Sequence, residues 1–110
     1  MSLTVTLFYS KTDDIKITVE ARFEGESLVI EGYDIGKRVK EYWGDSDYEY
    51  STTIQPENVL RLYALLHLPS GDKNALLQAL ADRFHTNSCY SEIQQWLHNH
   101  QIPYQGFSWA

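Results

Sequence analysis

Acidic and aromatic residues alternate through one short stretch of the chain, Gly44-Asp45-Ser46-Asp47-Tyr48-Glu49-Tyr50. On a strand, alternate residues point to the same side, so Asp45, Asp47 and Glu49 are expected to share one face. Three carboxylates on one face can bind a divalent cation, or they can attract the Lys and Arg side chains of another protein. The commonest role of such exposed acids is only to keep a strand face solvated.

The aromatic residues beside these acids favour the protein-binding use. Tyr and Trp side chains supply large contact areas with few rotatable bonds, which makes them frequent anchors of interfaces. We expect the acids to steer and orient a basic partner protein and the aromatic side chains to anchor it. The predicted partner-binding residues are Glu41, Trp43, Asp45, Asp47, Tyr48, Glu49 and Tyr50.

Signatures of catalysis or metal binding do not stand out elsewhere in the sequence. It has no G-x-S-x-G elbow, no Walker A loop and no Gly-rich dinucleotide turn. His98 and His100 are two residues apart, so on a helix they face different ways. Cys89 shares an apolar stripe with Ile93 and Trp96, where a free thiol packs as a small hydrophobe. We therefore predict no catalytic residue, no metal and no cofactor, and we favour a binding protein over an enzyme.

The charge of the chain excludes some partners. Its 110 residues carry a formal net charge of −6, and residues 1–55 hold most of the acids. An acidic surface repels phosphate backbones and anionic lipids, so neither nucleic acid nor a membrane is an expected partner. A single cysteine cannot form an internal disulfide, which favours a reducing compartment. With no signal-peptide pattern and no apolar run near ~20 residues, the prediction is a cytoplasmic protein.

The elements that must position these residues follow from the hydrophobic pattern. Residues 1–55 alternate apolar and polar side chains and predict strands over 3–9, 15–23, 27–33, 38–43 and 47–54. Residues 56–110 show helical spacing in three segments, opened by Pro56, by Asp72 and by Ser88 or Ser91. Tyr104–Trp109 is expected to form an edge strand. The prediction is a single α+β domain over 1–110: an antiparallel β-meander of four or five strands, followed by three helices packed on one face.

The run Gly44–Tyr50, followed by helices and then by the aromatic segment Ile102–Trp109, resembles small acidic uncharacterised bacterial proteins of the toxin-immunity type. That resemblance implies a protein that neutralises a toxin partner by binding it. It implies no catalytic residue.

Three functional hypotheses remain open at this point. The first is an interaction module that binds or neutralises a basic partner protein. The second is a small metal-dependent enzyme or metal-binding domain that uses the carboxylates of Asp45, Asp47 and Glu49. The third is a homo-oligomeric structural protein that assembles through an exposed edge strand or the aromatic segment at Tyr104–Trp109.

Overall fold

A computed structural model describes residues 3–36 and 47–109 of the chain. The strands are β1 (Thr4–Lys11), β2 (Ile15–Glu24), β3 (Ser27–Gly36), β4 (Asp47–Ile54) and β5 (Gln105–Trp109). The helices are α1 (Pro56–Leu65), α2 (Lys73–Arg83) and α3 (Cys89–Asn99). The strands form one antiparallel sheet in the order β1-β2-β3-β4-β5. The predicted α+β fold, with a β-meander followed by three helices, is confirmed. The strand predicted over 38–43 lies outside the described residues.

The hairpin of β2 and β3 sets the frame of the sheet. The two strands pair without interruption from Ile15 opposite Gly36 to Glu24 opposite Ser27. A two-residue turn joins them, and its first residue, Gly25, has φ of 62°. Glycine adopts this left-handed conformation without a steric penalty, so the short turn fixes which residues of the two strands lie opposite each other.

One face of the sheet, called here the inner face, packs against the helices and forms the hydrophobic core. Its buried side chains include Val19, Ala21, Phe23, Leu28, Ile30 and Ile54. The helices contribute leucine-rich stripes to the same core, and Cys89 of α3 is fully buried in it, as predicted from its apolar stripe. The opposite face, called the outer face, carries the side chains that alternate with the core residues, and most of these are polar.

The helices begin and end at recognisable signals. Pro56 occupies the first turn of α1, and the Asp72 carboxylate accepts a hydrogen bond from the Ala75 N–H at the start of α2 (3.1 Å), both as predicted. The helices have 10 or 11 residues. Across the described ranges, none of them is both long and apolar enough to cross a membrane.

α1 and α3 both end in a Schellman motif that contains no glycine. In α1 the Leu68 N–H donates to the Tyr63 carbonyl (2.8 Å), and His67 between them has φ of 57°. In α3 the equivalent left-handed residue is Gln101, also with φ of 57°. The Arg61 guanidinium of α1 donates to the Gln101 carbonyl (3.0 Å) and so holds the end of α3 against α1.

We expect His67→Gly to stabilise the protein. A left-handed conformation costs an L-residue about 1–2 kcal/mol, and the extra freedom of glycine in the unfolded chain offsets about 0.4–1 kcal/mol of the gain. Urea denaturation should therefore show a free energy of unfolding higher by up to about 1.6 kcal/mol. The control His67→Ala, which keeps a Cβ, should not show this gain. A lower stability for the glycine variant would contradict the interpretation.

Candidate functional site

The seven predicted partner-binding residues do not all fall on one described surface. Glu41, Trp43 and Asp45 lie outside the described residues, and Asp47 is placed only as the first residue of β4, opposite Ile35. The other three, 48–50, follow in β4, where the alternation of the strand separates them. The acid at position 49 lies on the outer face and the two tyrosines on the inner face.

On the outer face, Glu49 meets two further acids from neighbouring strands. Glu20 of β2 lies directly opposite Glu31 of β3, and Glu49 of β4 lies opposite Tyr33 of β3. We call the three glutamates the acidic patch. Together with Thr18 and Tyr33 they line a depression of about 330 Å³. The patch therefore spans three adjacent strands and does not run along a single one.

Only part of the charge in the acidic patch is neutralised within the protein. Arg22 forms ion pairs with Glu31 (3.1 Å) and with Glu24 (3.0 Å). Burial acts to lower the pKa of Arg22, but the hydrogen bonds to Glu31 and Glu24 raise it overall. Within residues 3–36 and 47–109, the side-chain carboxylates of Glu20 and Glu49 form no ion pair and no hydrogen bond. Two uncompensated carboxylates thus flank a compensated one.

Glu20 and Glu31 were not among the predicted site residues, although their positions in the strands are regular. Each occupies a polar position in a strand whose alternation is regular. The two-residue turn at Gly25 fixes the pairing of β2 with β3, and that pairing places the two acids opposite each other. The three acids come from three different strands, so the residue pattern of any one strand does not contain the patch.

On the inner face, Tyr50 joins the sheet to α3. Its hydroxyl donates a hydrogen bond to the Asp34 carboxylate of β3 (2.9 Å). Its ring meets the Tyr90 ring of α3 edge-to-face, with 4.6 Å between centroids. The Tyr48 ring lies beside it at 5.5 Å. These contacts give Tyr50 a packing role within the protein.

Thr52 extends the same network into the core. It is completely buried, and its hydroxyl shares a hydrogen bond with the Tyr90 hydroxyl (2.8 Å). The Gln94 side-chain amide donates a second hydrogen bond to the Thr52 oxygen (3.1 Å). A buried polar group is tolerated when its hydrogen bonds are satisfied, and geometry of this kind specifies one position of the helix on the sheet.

The ionisable groups of this network are not activated for catalysis. Burial raises the pKa of Tyr50, with a further upward contribution from the negative charge of Asp34. Burial likewise raises the pKa of Tyr90 and of the Cys89 thiol. These hydroxyl and thiol groups stay protonated near neutral pH, whereas a nucleophile needs a lowered pKa or an adjacent base. The arrangement is that of a structural network.

Gly32 leaves the space that the Tyr50 ring occupies. The two residues are directly opposite each other in β3 and β4, and a Cβ atom at position 32 would overlap the tyrosine ring. The glycine is therefore required by a side chain on the next strand and not by its own backbone conformation.

We predict that Gly32→Ala destabilises the protein by about 1–3 kcal/mol, because overpacking forces the Tyr50 ring out of place. Gly106→Ala is the matched control: a Cβ on that inner-face glycine of β5 meets no atom within 4 Å, so little change is expected. Thermal or urea denaturation measures both. In a Tyr50→Ala background the cost of Gly32→Ala should largely disappear, and an undiminished cost would contradict the assignment.

The hydrogen bond between Tyr50 and Asp34 predicts a pH-dependent loss of stability in Tyr50→Phe. Burial raises the pKa of Asp34, and the tyrosine hydroxyl opposes that rise by stabilising the ionised carboxylate. Without the hydroxyl, the variant should lose about 1–2 kcal/mol above the pKa of Asp34. The loss should shrink as the pH falls through that pKa, because the carboxylate becomes neutral. Urea titrations at several pH values test this. In an Asp34→Asn background the loss should not vary with pH.

The described side chains give no indication of a metal centre. In the parts of the chain that the structure covers, no group of three His, Cys, Asp or Glu side chains is placed to hold a metal ion. Comparison with protein families, curated proteins and solved structures found no match for this chain. A functional proposal therefore depends on the surface itself.

Proposed function

We propose that this protein is an interaction module whose outer sheet face binds a basic partner protein. The observation that carries the proposal is the pair of unpartnered carboxylates, Glu20 and Glu49, on either side of the neutralised Glu31. They lie on the face of the sheet turned away from the helices. Lys or Arg side chains of a partner would complete the charge balance that Arg22 only begins.

The energetics of the acidic patch suit recognition. Like charges on opposite positions of neighbouring strands repel each other and lower the stability of the folded protein. A cation from a partner removes that repulsion. The same repulsion that lowers the stability of the free protein therefore favours formation of the complex. The patch combines with a net charge of −6 to attract a basic surface over several ångströms, which raises the association rate more than it raises affinity.

Two tyrosines of the outer face lie at or beside the acidic patch. Tyr33 lines the depression together with the glutamates. Tyr9 of β1 lies opposite Thr18 and is 55% exposed. Tyr9 and Tyr33 are therefore the proposed aromatic anchors. Tyr48 and Tyr50, which were predicted for this role, have their rings on the inner face. Glu41, Trp43, Asp45 and Asp47 remain predicted contributors to the same interaction.

The class of partner follows from this chemistry. A protein that covers a basic surface of its partner also blocks whatever that surface does, which fits an inhibitor of the toxin-immunity type. The buried free thiol of Cys89 suits the reducing cytoplasm, where we place the protein.

We predict that removing the two unpartnered charges weakens the complex. The partner is captured from native-host lysate by the wild-type protein, identified by mass spectrometry and purified. Its dissociation constant is then measured over a range of salt concentrations. The double variant Glu20→Gln/Glu49→Gln should bind at least about tenfold more weakly, mainly through a slower association, and should show a shallower salt dependence.

The matched control is Asp13→Asn/Asp14→Asn, which changes the net charge equally in the exposed loop between β1 and β2. It should alter the dissociation constant by no more than about twofold, because charges far from a contact are largely screened. Equal effects of the two double variants would show that only the net charge matters and would contradict a site at the acidic patch. A captured partner without a basic surface would do the same.

A further inference from the structure

The last strand, β5, stands at one end of the described sheet. Among the described residues, β5 pairs only with β4 and stands at the end of the sheet. Residues 105–108 are all exposed, and Phe107 at the centre of the strand is 61% exposed. An exposed edge of this kind presents free N–H and C=O groups that can pair with a further strand.

The opposite edge of the described sheet, β1, carries protective features that the sequence of β5 lacks. β1 has a β-bulge between Thr6 and Phe8, and it ends at Lys11. Bulges and edge lysines are devices that prevent strands from adding to a sheet. The sequence of β5, Gln105–Trp109, contains no charged side chain and no proline. The two edges therefore differ in their capacity to accept another strand.

We propose that β5 pairs antiparallel with the β5 strand of a second copy of this chain. Phe107 is the middle residue of the five, so a two-fold axis through that position places the two phenylalanine side chains directly opposite each other. Gln105 then faces Trp109 of the other copy, and Gly106 faces Ser108. Cross-strand aromatic pairs stabilise an antiparallel sheet, and the two-fold arrangement closes after two chains.

Charge limits where two copies of this chain can meet. Each chain carries −6, so two copies that met through their outer faces would bring two acidic patches together. At β5 every side chain that comes into register is uncharged. Pairing of β5 with β1 of another copy would generate an open filament, and the bulge at Thr6 and Phe8 opposes it. The isologous β5 pair is the arrangement that remains.

The small area of the β5–β5 contact limits the affinity of the dimer. Five residues from each chain bury less than the roughly 1,200 Å² of a stable interface, so the dimer should form reversibly and depend on concentration. Its sheet would run continuously through both chains and would display two acidic patches. Dimerisation is thus separate from partner binding and does not rest on the function proposed above.

Sedimentation equilibrium from about 5 µM to about 1 mM, a range that brackets weak interfaces, tests the proposal. The wild type should shift from monomer to dimer. Phe107→Lys should remain a monomer throughout, because an edge lysine opposes strand addition. Leu60→Lys is the control for exposed apolar area: Leu60 lies on α1, is 56% exposed, and its replacement should leave the dimer unchanged. Glu20→Gln/Glu49→Gln should also dimerise like the wild type.

Two results would overturn the proposal. One is a wild type that stays monomeric over the whole range, which would leave the β5 edge to a foreign strand. The other is a Phe107→Lys protein that dimerises like the wild type, which would place the contact elsewhere. Oxidation gives an independent check: Phe107→Cys should form a disulfide-linked dimer, since Cα atoms of directly opposite antiparallel residues lie about 4.5–5.5 Å apart, within the range that a disulfide spans. Leu60→Cys should form none above background.

Discussion

The Tyr50 ring lies over Gly32, and its hydroxyl is hydrogen-bonded to Asp34 two residues further along β3. This pair of contacts fixes the register of β4 on β3. A strand displaced by one residue turns every side chain to the other face of the sheet. With β4 slipped by one position, Glu49 would point at α3 and Tyr50 would turn to the outer face.

The two faces of β4 depend on that register in different ways. On the inner face it places Thr52 under Tyr90 and Gln94, and the satisfied hydrogen bonds of this network hold α3 on the sheet. On the outer face it places Glu49 opposite Tyr33 and diagonal to Glu31, so that Glu49 lines the same depression as Glu31 and Glu20. The inner face thus stabilises the fold, while the outer face concentrates negative charge that the protein itself only partly neutralises. A surface that carries repulsion at the expense of stability is typical of functional sites.

Local patterns predicted the elements well and the grouping of side chains poorly. Alternation predicted β1 to β4, Pro56 and Asp72 marked helix starts, and the apolar stripe placed Cys89 in the core, because each signal lies within a few residues. The partners of Tyr50, in contrast, are 16 and 40 residues away in sequence. Tyrosine on a strand is compatible with an interface anchor and with a core contact, and only the pairing of β4 with β3 and the position of α3 distinguish the two. The same long-range pairing assembles the acidic patch.

The central claim is that the outer face binds basic groups while the tyrosine face serves the fold. It is tested most directly by NMR titration of the ¹⁵N-labelled protein with a short Lys- and Arg-rich peptide at low and high salt. The account predicts amide shifts that centre on Thr18, Glu20, Glu31 and Glu49 and fade as salt screens the contact. Shifts that centre on Tyr90 and Gln94, or that persist at high salt, would contradict it.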